Sequence, residues 1–190
     1  MSYEDKLGAR LIILEGNISA GKTTLVKSLG ETLGARTFLE PTVANPYLDK
    51  FYKEPKKYAL KLQLWLFRQR YHTYLASIKY IQETGKTAIL DRSVYSDWVF
   101  AEKNRLDGNI SEEGFAYYEA LRAQLLAALP LPHFTLYLDV TPEECYRRVH
   151  TLRKRDCEAG IPLEYLSGLH HCYDTLVESM RRQGSCTVRV

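Results

Sequence analysis

A glycine-rich segment near the start of the chain restricts the fold more than any other stretch. It follows an apolar run at positions 11–14 and precedes a helical pattern at 24–29. The segment fits the spacing G-x-x-x-x-G-K-[ST] and comprises Gly16, Asn17, Ile18, Ser19, Ala20, Gly21, Lys22 and Thr23, followed by Thr24. A strand before this spacing and a helix after it are the context that a phosphate-binding loop requires. We name residues 16–23 the phosphate loop.

The residue types in the phosphate loop match the chemistry of a nucleoside triphosphate. Its glycines let successive backbone N–H groups surround a phosphate, and the N-terminus of the following helix favours negative charge. The Lys22 ammonium can reach the outer phosphates, while the Thr23 hydroxyl can bind Mg²⁺. An ordinary glycine-rich turn is the alternative, but the spacing, the Lys-Thr pair and the flanking elements agree with one another. We therefore expect the chain to bind a triphosphate such as ATP together with Mg²⁺.

The composition is that of one globular domain. Its 190 residues are 45% hydrophobic and 26% charged, with a formal net charge of +3. Such a slight charge gives no reason to expect a nucleic-acid partner. No apolar stretch approaches the roughly 20 residues of a membrane span, and the polar start resembles no secretory signal. We expect a single domain over 1–190 and a cytoplasmic protein that does not bind membranes.

Strand and helix patterns alternate along the chain. Short apolar runs favour strands at 10–15, 37–39, 87–90, 134–138 and 187–190. Helical patterns lie between them, including a long one over 56–83. This alternation predicts an α/β fold with a five-stranded parallel sheet, right-handed crossovers and helices on both faces.

Charged side chains follow two of the predicted strands. Glu40 precedes Pro41, which disfavours helical geometry at Glu40, while Asp91 and Arg92 follow the third strand. Ligands gather at the carboxyl ends of strands in parallel α/β sheets. Glu40 is therefore a candidate general base, and Arg92 a candidate for orienting phosphates. Asp91 is a candidate Mg²⁺ ligand with Thr23, although a solvated turn would look similar.

A cluster of positive charge lies between the fourth strand and the last helical pattern. It contains Arg147, Arg148, Arg153, Lys154 and Arg155. Such a run is usually a solvated helix face. Next to a triphosphate site it is also where a mobile arginine-rich lid would lie, and its arginines could stabilise charge on a transferring phosphoryl group. We expect this lid at about 151–160.

One face of the long helical pattern carries polar residues that could touch a ligand. Gln63, Leu66 and Arg70 are spaced three and four apart, so they share a face. From this stretch alone, a surface edge or a satisfied structural pair explains them equally well. A second stripe, with Trp65, Leu75 and Ile78, is either core or a subunit interface.

Five motifs together resemble the deoxynucleoside kinase family, which includes deoxycytidine and deoxyguanosine kinases. They are the phosphate loop, Glu40-Pro41, Leu62-Gln63, the segment DRSVYSD at 91–97, and the segment 152–166, which begins LRKR and ends GIPLEYL. The resemblance covers nearly the whole chain, from about Arg10 to Val190. It implies a P-loop kinase fold with five parallel strands, and transfer of the ATP γ-phosphate to a deoxynucleoside 5′-hydroxyl in nucleotide salvage, which supplies DNA precursors. It also implies a homodimer formed through the long helices.

The resemblance implies roles for residues around the transferred phosphate. Glu40 is similar to the base that accepts the 5′-hydroxyl proton, and Arg92 to the arginine that holds this hydroxyl and the phosphates. Asp91 resembles the Mg²⁺-associated acid. The lid arginines of the family correspond to Arg153, Arg155 and, with an offset of one position, Arg148.

The resemblance also implies how the acceptor is held. Gln63 is similar to the glutamine that reads the base, and Phe100 to the ring that stacks on it. The resemblance places Asp97 opposite Arg70, as in the deoxycytidine and deoxyguanosine enzymes, so that Asp97 can accept from an exocyclic amine of the base and Arg70 can donate to guanine O6. The resemblance implies that Tyr52 and Glu158 bind the sugar 3′-hydroxyl. The donors and acceptors of these side chains favour deoxycytidine and the purine deoxynucleosides, with thymidine a poorer substrate.

Two alternatives stay open from the sequence. A thymidylate-type nucleoside monophosphate kinase shares the sheet and an Asp-Arg pair, but it needs a cationic site for the acceptor's phosphate beside Glu40. A non-catalytic nucleotide-binding module would keep the phosphate loop as a structural element. A switch GTPase is not favoured, because N-K-x-D is absent after the fourth strand, where residues 138–142 read LDVTP.

Overall fold

The computed structural model describes residues 8–40, 45–152 and 160–190, and these contain one parallel sheet of five strands. The strands are β1 (Leu11–Gly16), β2 (Arg36–Phe38), β3 (Ala88–Asp91), β4 (Phe134–Leu138) and β5 (Cys186–Arg189). Their order across the sheet is β2-β3-β1-β4-β5. The predicted parallel five-stranded sheet is confirmed, and each strand end lies within one residue of the bounds expected from the sequence.

Helices flank this sheet. They are α1 (Lys22–Leu33), α2 (Leu48–Lys53), α3 (Pro55–Thr84), α4 (Asp97–Leu106), α5 (Glu112–Leu126), α6 (Pro142–Thr151) and α7 (Leu163–Gln183). Helices α1 and α3 pack against β1 and β3, whereas α7 packs against β4 and β5. Within the described part of the chain, no helix is both long and apolar enough to cross a membrane.

The helix ends follow from local chemistry. Pro55 lies in the first turn of α3, where the missing N–H of proline costs no hydrogen bond. Helix α6 starts in the same way at Pro142, and the hydroxyl of its N-cap Thr141 accepts a hydrogen bond from the Glu144 N–H. Helix α1 ends at Gly34, whose φ of 59° is one that glycine adopts without strain.

The core runs along the central strands. Leu11, Ile13 and Leu14 of β1 and Ile89 of β3 are fully buried, as expected for strands covered on both faces. Four tyrosines are also fully buried, namely Tyr74, Tyr118, Tyr137 and Tyr173. A buried hydroxyl needs a hydrogen-bond partner, so these tyrosines connect the core to polar groups.

The register between β1 and β3 positions the candidate site. Leu14 pairs with Asp91, and the Arg92 N–H donates to the Leu14 carbonyl at 3.0 Å. The phosphate loop at the end of β1 therefore lies beside the turn that follows β3. Glu40 lies two residues beyond β2, on the far side of β3. Three predicted functional segments thus meet at the carboxyl edge of the sheet.

Candidate active site

The phosphate loop connects β1 to α1 in a conformation that requires glycine. Gly16 has a φ of 149°, and a Cβ at this position would lie 3.0 Å from the Leu138 carbonyl oxygen. Gly21, at φ 103°, turns the chain into α1. Asn17 is fully buried, and its amide nitrogen donates to the Leu166 carbonyl in the first turn of α7 at 2.9 Å. The loop is therefore fixed both by its own backbone and by α7.

Lys22 is the buried cation of this loop. Its ammonium donates to the carbonyl oxygens of Gly16 at 3.0 Å and Asn17 at 2.6 Å. Burial, together with the positive charge of Arg92, lowers the pKa of Lys22 to about 7. A phosphate placed against this nitrogen would favour the charged form again.

Thr23 and Asp91 bring two oxygen ligands together. The Thr23 hydroxyl donates to an Asp91 carboxylate oxygen, joining α1 to the end of β3. Among the described residues there is no cluster of three or more His, Cys, Asp or Glu side chains that could enclose a metal. Mg²⁺ prefers oxygen ligands and is usually held by one or two carboxylates, with phosphates and waters completing its shell. This pair therefore fits Mg²⁺ carried in with a triphosphate.

Glu40 is held by two arginines. One carboxylate oxygen accepts from Arg70 Nη2 at 2.5 Å and Arg70 Nε at 3.2 Å, while the other lies 3.3 Å from Arg92 Nε. Burial alone would raise the pKa of Glu40, but the charges of Arg70 and Arg92 outweigh it and lower this pKa to about 2. Glu40 is therefore ionised throughout the neutral range, with 21% of its side chain exposed.

Asp97 holds the other side of Arg70. Its carboxylate accepts from Arg70 Nη1 at 2.6 Å and from the Tyr118 hydroxyl at 2.9 Å, and its backbone carbonyl accepts from Gln63 Nε2 at 2.9 Å. Burial raises the pKa of Asp97, whereas Arg70, Gln63 and Tyr118 oppose this rise. Both carboxylate oxygens are engaged within the protein. Asp97 is thus suited to orient Arg70 and Gln63, both of which line the cavity of this site.

Arg92 lies at the centre of the site. Its backbone has a φ of 66°, which is unusual for a residue other than glycine. Its guanidinium donates to the Tyr173 hydroxyl and lies 4.8 Å from the centre of the Phe100 ring. Arg70 approaches the same ring at 5.4 Å. Phe100 therefore packs against both arginines.

One cavity of about 1070 Å³ joins these groups. The phosphate loop and Thr24 form one end, where Ile18, Ser19, Gly21, Lys22 and Thr23 line the wall. The other end is lined by Glu40, Tyr52, Gln63, Arg70, Arg92 and Phe100. Gly16, Asn17, Ala20 and Asp97 are not part of the lining and act on it through their neighbours. This volume slightly exceeds the roughly 300–1000 Å³ typical of small-molecule pockets, so two ligands can share this cavity.

Several groups at the site carry no clear signal in the sequence. Arg148, which the family pattern matches with an offset, lines the cavity and donates to the Ala20 carbonyl at 3.0 Å. Tyr118 and Tyr173 hold Asp97 and Arg92 from positions distant in the chain. Apolar periodicity assigns such tyrosines to the core, and only their hydroxyl groups reveal the second role. The spacing of Arg148 four residues after Glu144, with which it pairs at 2.6 Å, is the one local clue.

Three predicted site residues lie outside the described residues. They are the lid arginines Arg153 and Arg155 and the sugar-binding Glu158. The expected lid at about 151–160 is described only at Thr151, Leu152 and Gly160. The roles of these three residues stay predictions.

Comparison with known proteins identifies the family. The family model for deoxynucleoside kinases matches residues 12–190. A deoxyguanosine kinase of Dictyostelium discoideum is 55% identical over 177 residues, which are 93% of this chain and 62% of that protein. A deoxyadenosine kinase of the same organism is 35% identical over 171 residues, covering 90% of this chain and 68% of the relative. The chain thus spans about two thirds of the length of these relatives.

A solved structure has the same fold. The deoxyadenosine kinase of M. mycoides with bound dCTP superimposes with a TM-score of 0.82, over 95% of this chain and 89% of that one, at 24% sequence identity. The same family is indicated by the phosphate loop, by the charged turn after β3 and by the match over residues 12–190. This chain belongs to the deoxynucleoside kinase family.

Proposed function

We propose that the chain transfers the γ-phosphate of ATP to the 5′-hydroxyl of a deoxynucleoside. The observation that carries this proposal is the position of Glu40. Its carboxylate is fixed by Arg70 and Arg92 in the same cavity as Lys22 of the phosphate loop. An acceptor hydroxyl beside Glu40 and a triphosphate at Lys22 would therefore face each other.

Glu40 acts as the general base in this proposal. A carboxylate with a pKa of about 2 is a weak base, but it is always in the form that accepts a proton. Phosphoryl transfer passes through a loose transition state, so the acceptor hydroxyl needs orientation more than early deprotonation. A nucleoside that takes over donors of Arg70 would also raise the pKa of Glu40 and make it a stronger base.

The donor phosphates bind at the opposite end of the cavity. Lys22 contacts the outer phosphates, and Arg92 bridges the acceptor hydroxyl and the transferring group. Thr23 and Asp91 would hold Mg²⁺, which when bound would neutralise charge on the phosphates. Arg148 adds a cation next to Ala20, and Arg153 and Arg155 are proposed to close over the donor from the lid.

The acceptor base lies against Phe100 and is read by Gln63 and Arg70. Arg70 can donate to guanine O6, and the Gln63 amide offers an acceptor for the exocyclic amine of adenine or cytosine. Thymine offers no exocyclic amine and adds a methyl group. The names of the two Dictyostelium relatives, a deoxyguanosine kinase and a deoxyadenosine kinase, support a purine acceptor. Tyr52 and Glu158 are proposed to hold the sugar 3′-hydroxyl.

The charge beside Glu40 argues against a nucleoside monophosphate as the acceptor. Arg70 and Arg92 are present there, but Glu40 and Asp97 balance their two positive charges. An acceptor phosphate would therefore meet two carboxylates without surplus positive charge. A neutral nucleoside has no such conflict.

A homodimer in the cytoplasm, working in nucleotide salvage, is the setting that we propose for this activity. Leu75 on α3 and Tyr117 on α5 are 39% and 60% exposed, so the long helices present apolar surface to a partner copy. Sedimentation equilibrium of the parent and of Leu75→Glu tests the dimer. A parent chain that sediments as a monomer contradicts it.

Transfer of labelled phosphate from ATP tests the function directly. The acceptors are the four deoxynucleosides and their monophosphates, and we expect purine deoxynucleosides or deoxycytidine to give the highest kcat/KM. In the variant Arg70→Met with Asp97→Ala, thymidine should gain relative to the other three. Transfer to monophosphates alone would favour the thymidylate-type alternative, and ATP binding without any transfer would favour a non-catalytic module.

A further inference from the structure

Glu15 is a buried acid with no role in the proposed mechanism. It is the last residue of β1 before Gly16, and its side chain is fully buried. One carboxyl oxygen accepts from the Ser93 hydroxyl at 2.6 Å. The other has no hydrogen-bond partner among the described residues. Burying a carboxyl group is unfavourable, so its presence directly behind the phosphate loop requires a compensating role.

Ser93, which donates to Glu15, makes two further hydrogen bonds within the turn after β3. The Ser93 hydroxyl oxygen accepts from the Tyr95 N–H at 3.1 Å, and the Ser93 carbonyl accepts from the Ser96 hydroxyl at 3.2 Å. Because Glu15 takes the hydroxyl hydrogen of Ser93, the oxygen lone pairs are directed to the Tyr95 N–H. The orientation of Ser93 is therefore set from β1.

This turn needs an external anchor. Arg92 has a φ of 66°, a conformation that L-residues rarely adopt and that persists where neighbouring contacts impose it. The Arg92 N–H is fixed to the Leu14 carbonyl, and the next residue, Ser93, is fixed to Glu15. Two successive residues of β1 thus hold two successive residues of the turn.

We propose that Glu15 is a positioning residue that holds the turn 91–93 so that Asp91 and Arg92 face the cavity. The proposal rests on the function proposed above, since it assigns Glu15 a part in phosphoryl transfer. Glu15 does not contact the cavity and acts through Ser93. Gln63 and Arg70, which are proposed to read the base, lie on α3 and are not part of this turn. Loss of the anchor should therefore lower kcat and leave nucleoside binding intact.

Steady-state kinetics of Glu15→Met and Glu15→Gln test this role. Methionine has a similar length but accepts no hydrogen bond from Ser93, and we expect kcat to fall by about 10²-fold, as for a reacting group displaced by about 1 Å. KM for the nucleoside should change little. Glutamine keeps the acceptor oxygen, so Glu15→Gln should retain most of the parent kcat. Glutamine as damaging as methionine would overturn the proposal.

Ser93→Ala completes a double-mutant cycle and also serves if Glu15→Met does not fold. It should lower kcat at least as much, because it removes the bond to Glu15 and also the acceptor of the Tyr95 N–H, and adding Glu15→Met to Ser93→Ala should lower kcat little further. Full additivity overturns the proposal, as does an unchanged kcat in Ser93→Ala.

Thr135→Val is the matched control. It removes a buried hydrogen bond of 2.8 Å to Ser185, between β4 and the residue before β5, and should lower stability without changing kcat. A loss of kcat equal to that of Glu15→Met would make the effect one of general stability and overturn the assignment. Failure of the proposed function is distinguishable, because the parent protein itself would then transfer no phosphate to nucleosides.

Discussion

The two ends of the cavity hold their arginines differently. At the acceptor end the side chains of Arg70, Arg92 and Asp97 are 6%, 5% and 0% exposed, and they form ion pairs between separate elements. At the donor end Arg147 and Arg148 are 57% and 30% exposed, and both pair with Glu144 of their own helix.

The difference matches the ligand proposed for each end. A neutral nucleoside brings no charge, so the groups that orient it must be balanced and fixed by the protein itself. A triphosphate brings several negative charges, so cations that pair weakly at the surface can exchange a carboxylate for a phosphate at little cost. Buried pairs resist such exchange because a charge left alone there is strongly unfavourable.

Removing the acceptor-end carboxylate should have the largest effect. We expect Glu40→Gln to lower kcat by about 10²–10⁴-fold, since an amide cannot take the hydroxyl proton. Nucleoside affinity, measured by calorimetry, should change far less. The matched change at the donor end, Glu144→Gln, should leave kcat near that of the parent. Similar losses in both variants would contradict the distinction between the two ends.

The next largest difference between the two ends should be in the free energy of unfolding after an arginine is replaced. Arg70→Met leaves Asp97 buried and unpaired, and we expect the free energy of unfolding in urea to fall by about 3–5 kcal/mol. Adding Asp97→Asn should recover part of this loss. Arg147→Met should unfold at nearly the same urea concentration as the parent. If Arg70→Met unfolds like the parent, the buried pair contributes nothing to folding.

Replacing each of the two donor-end arginines should lower kcat/KM for ATP to a different extent. Both arginines line the cavity and pair with Glu144, but Arg148 also donates to the Ala20 carbonyl of the phosphate loop, a contact that Arg147 does not make. We expect Arg148→Ala to lower kcat/KM for ATP by about 10-fold, the effect of losing one hydrogen bond to a charged group. Arg147→Ala should change it by much less. Equal losses would mean that the net charge of α6 acts, without a specific contact.

The smallest effect that we expect is the uptake of a proton when ATP binds. With a pKa of about 7, Lys22 is mostly neutral at pH 8 in the free protein, and bound phosphates should restore its charge. Binding at pH 8 should therefore consume up to about 0.9 proton, and far less at pH 6. Calorimetry in two buffers of different ionisation enthalpy measures this uptake. Lys22→Arg, which stays charged, should show none.

The sequence predicted the elements whose signals are local. The apolar runs predicted all five strands within one residue, whereas the helix after the phosphate loop begins at Lys22, two residues before the expected start at Thr24. The roles of Glu40, Gln63 and Arg92 remain predictions, although these residues do line one cavity.

Contacts between distant residues were missed. Ser93 and Glu15 are 78 positions apart, Arg92 and Tyr173 are 81 apart, and neither pair has a spacing pattern that indicates contact. A buried tyrosine or glutamate looks the same in sequence whether it fills space or holds a functional group. Their second role depends on where the hydroxyl or carboxyl points, which the fold decides.

The pairing of Leu14 with Asp91 also limits how this chain can diverge. Side chains alternate between the two faces of a strand, so gaining or losing one residue in 88–91 would turn Asp91 to the opposite face of the sheet. Substitutions can be accepted in this strand, but a change in its length cannot. At Gly108, in the exposed connection between α4 and α5, no atom lies within 4 Å of an added Cβ. In homologous genes, insertions and deletions should therefore accumulate at this connection and be absent from β1 and β3.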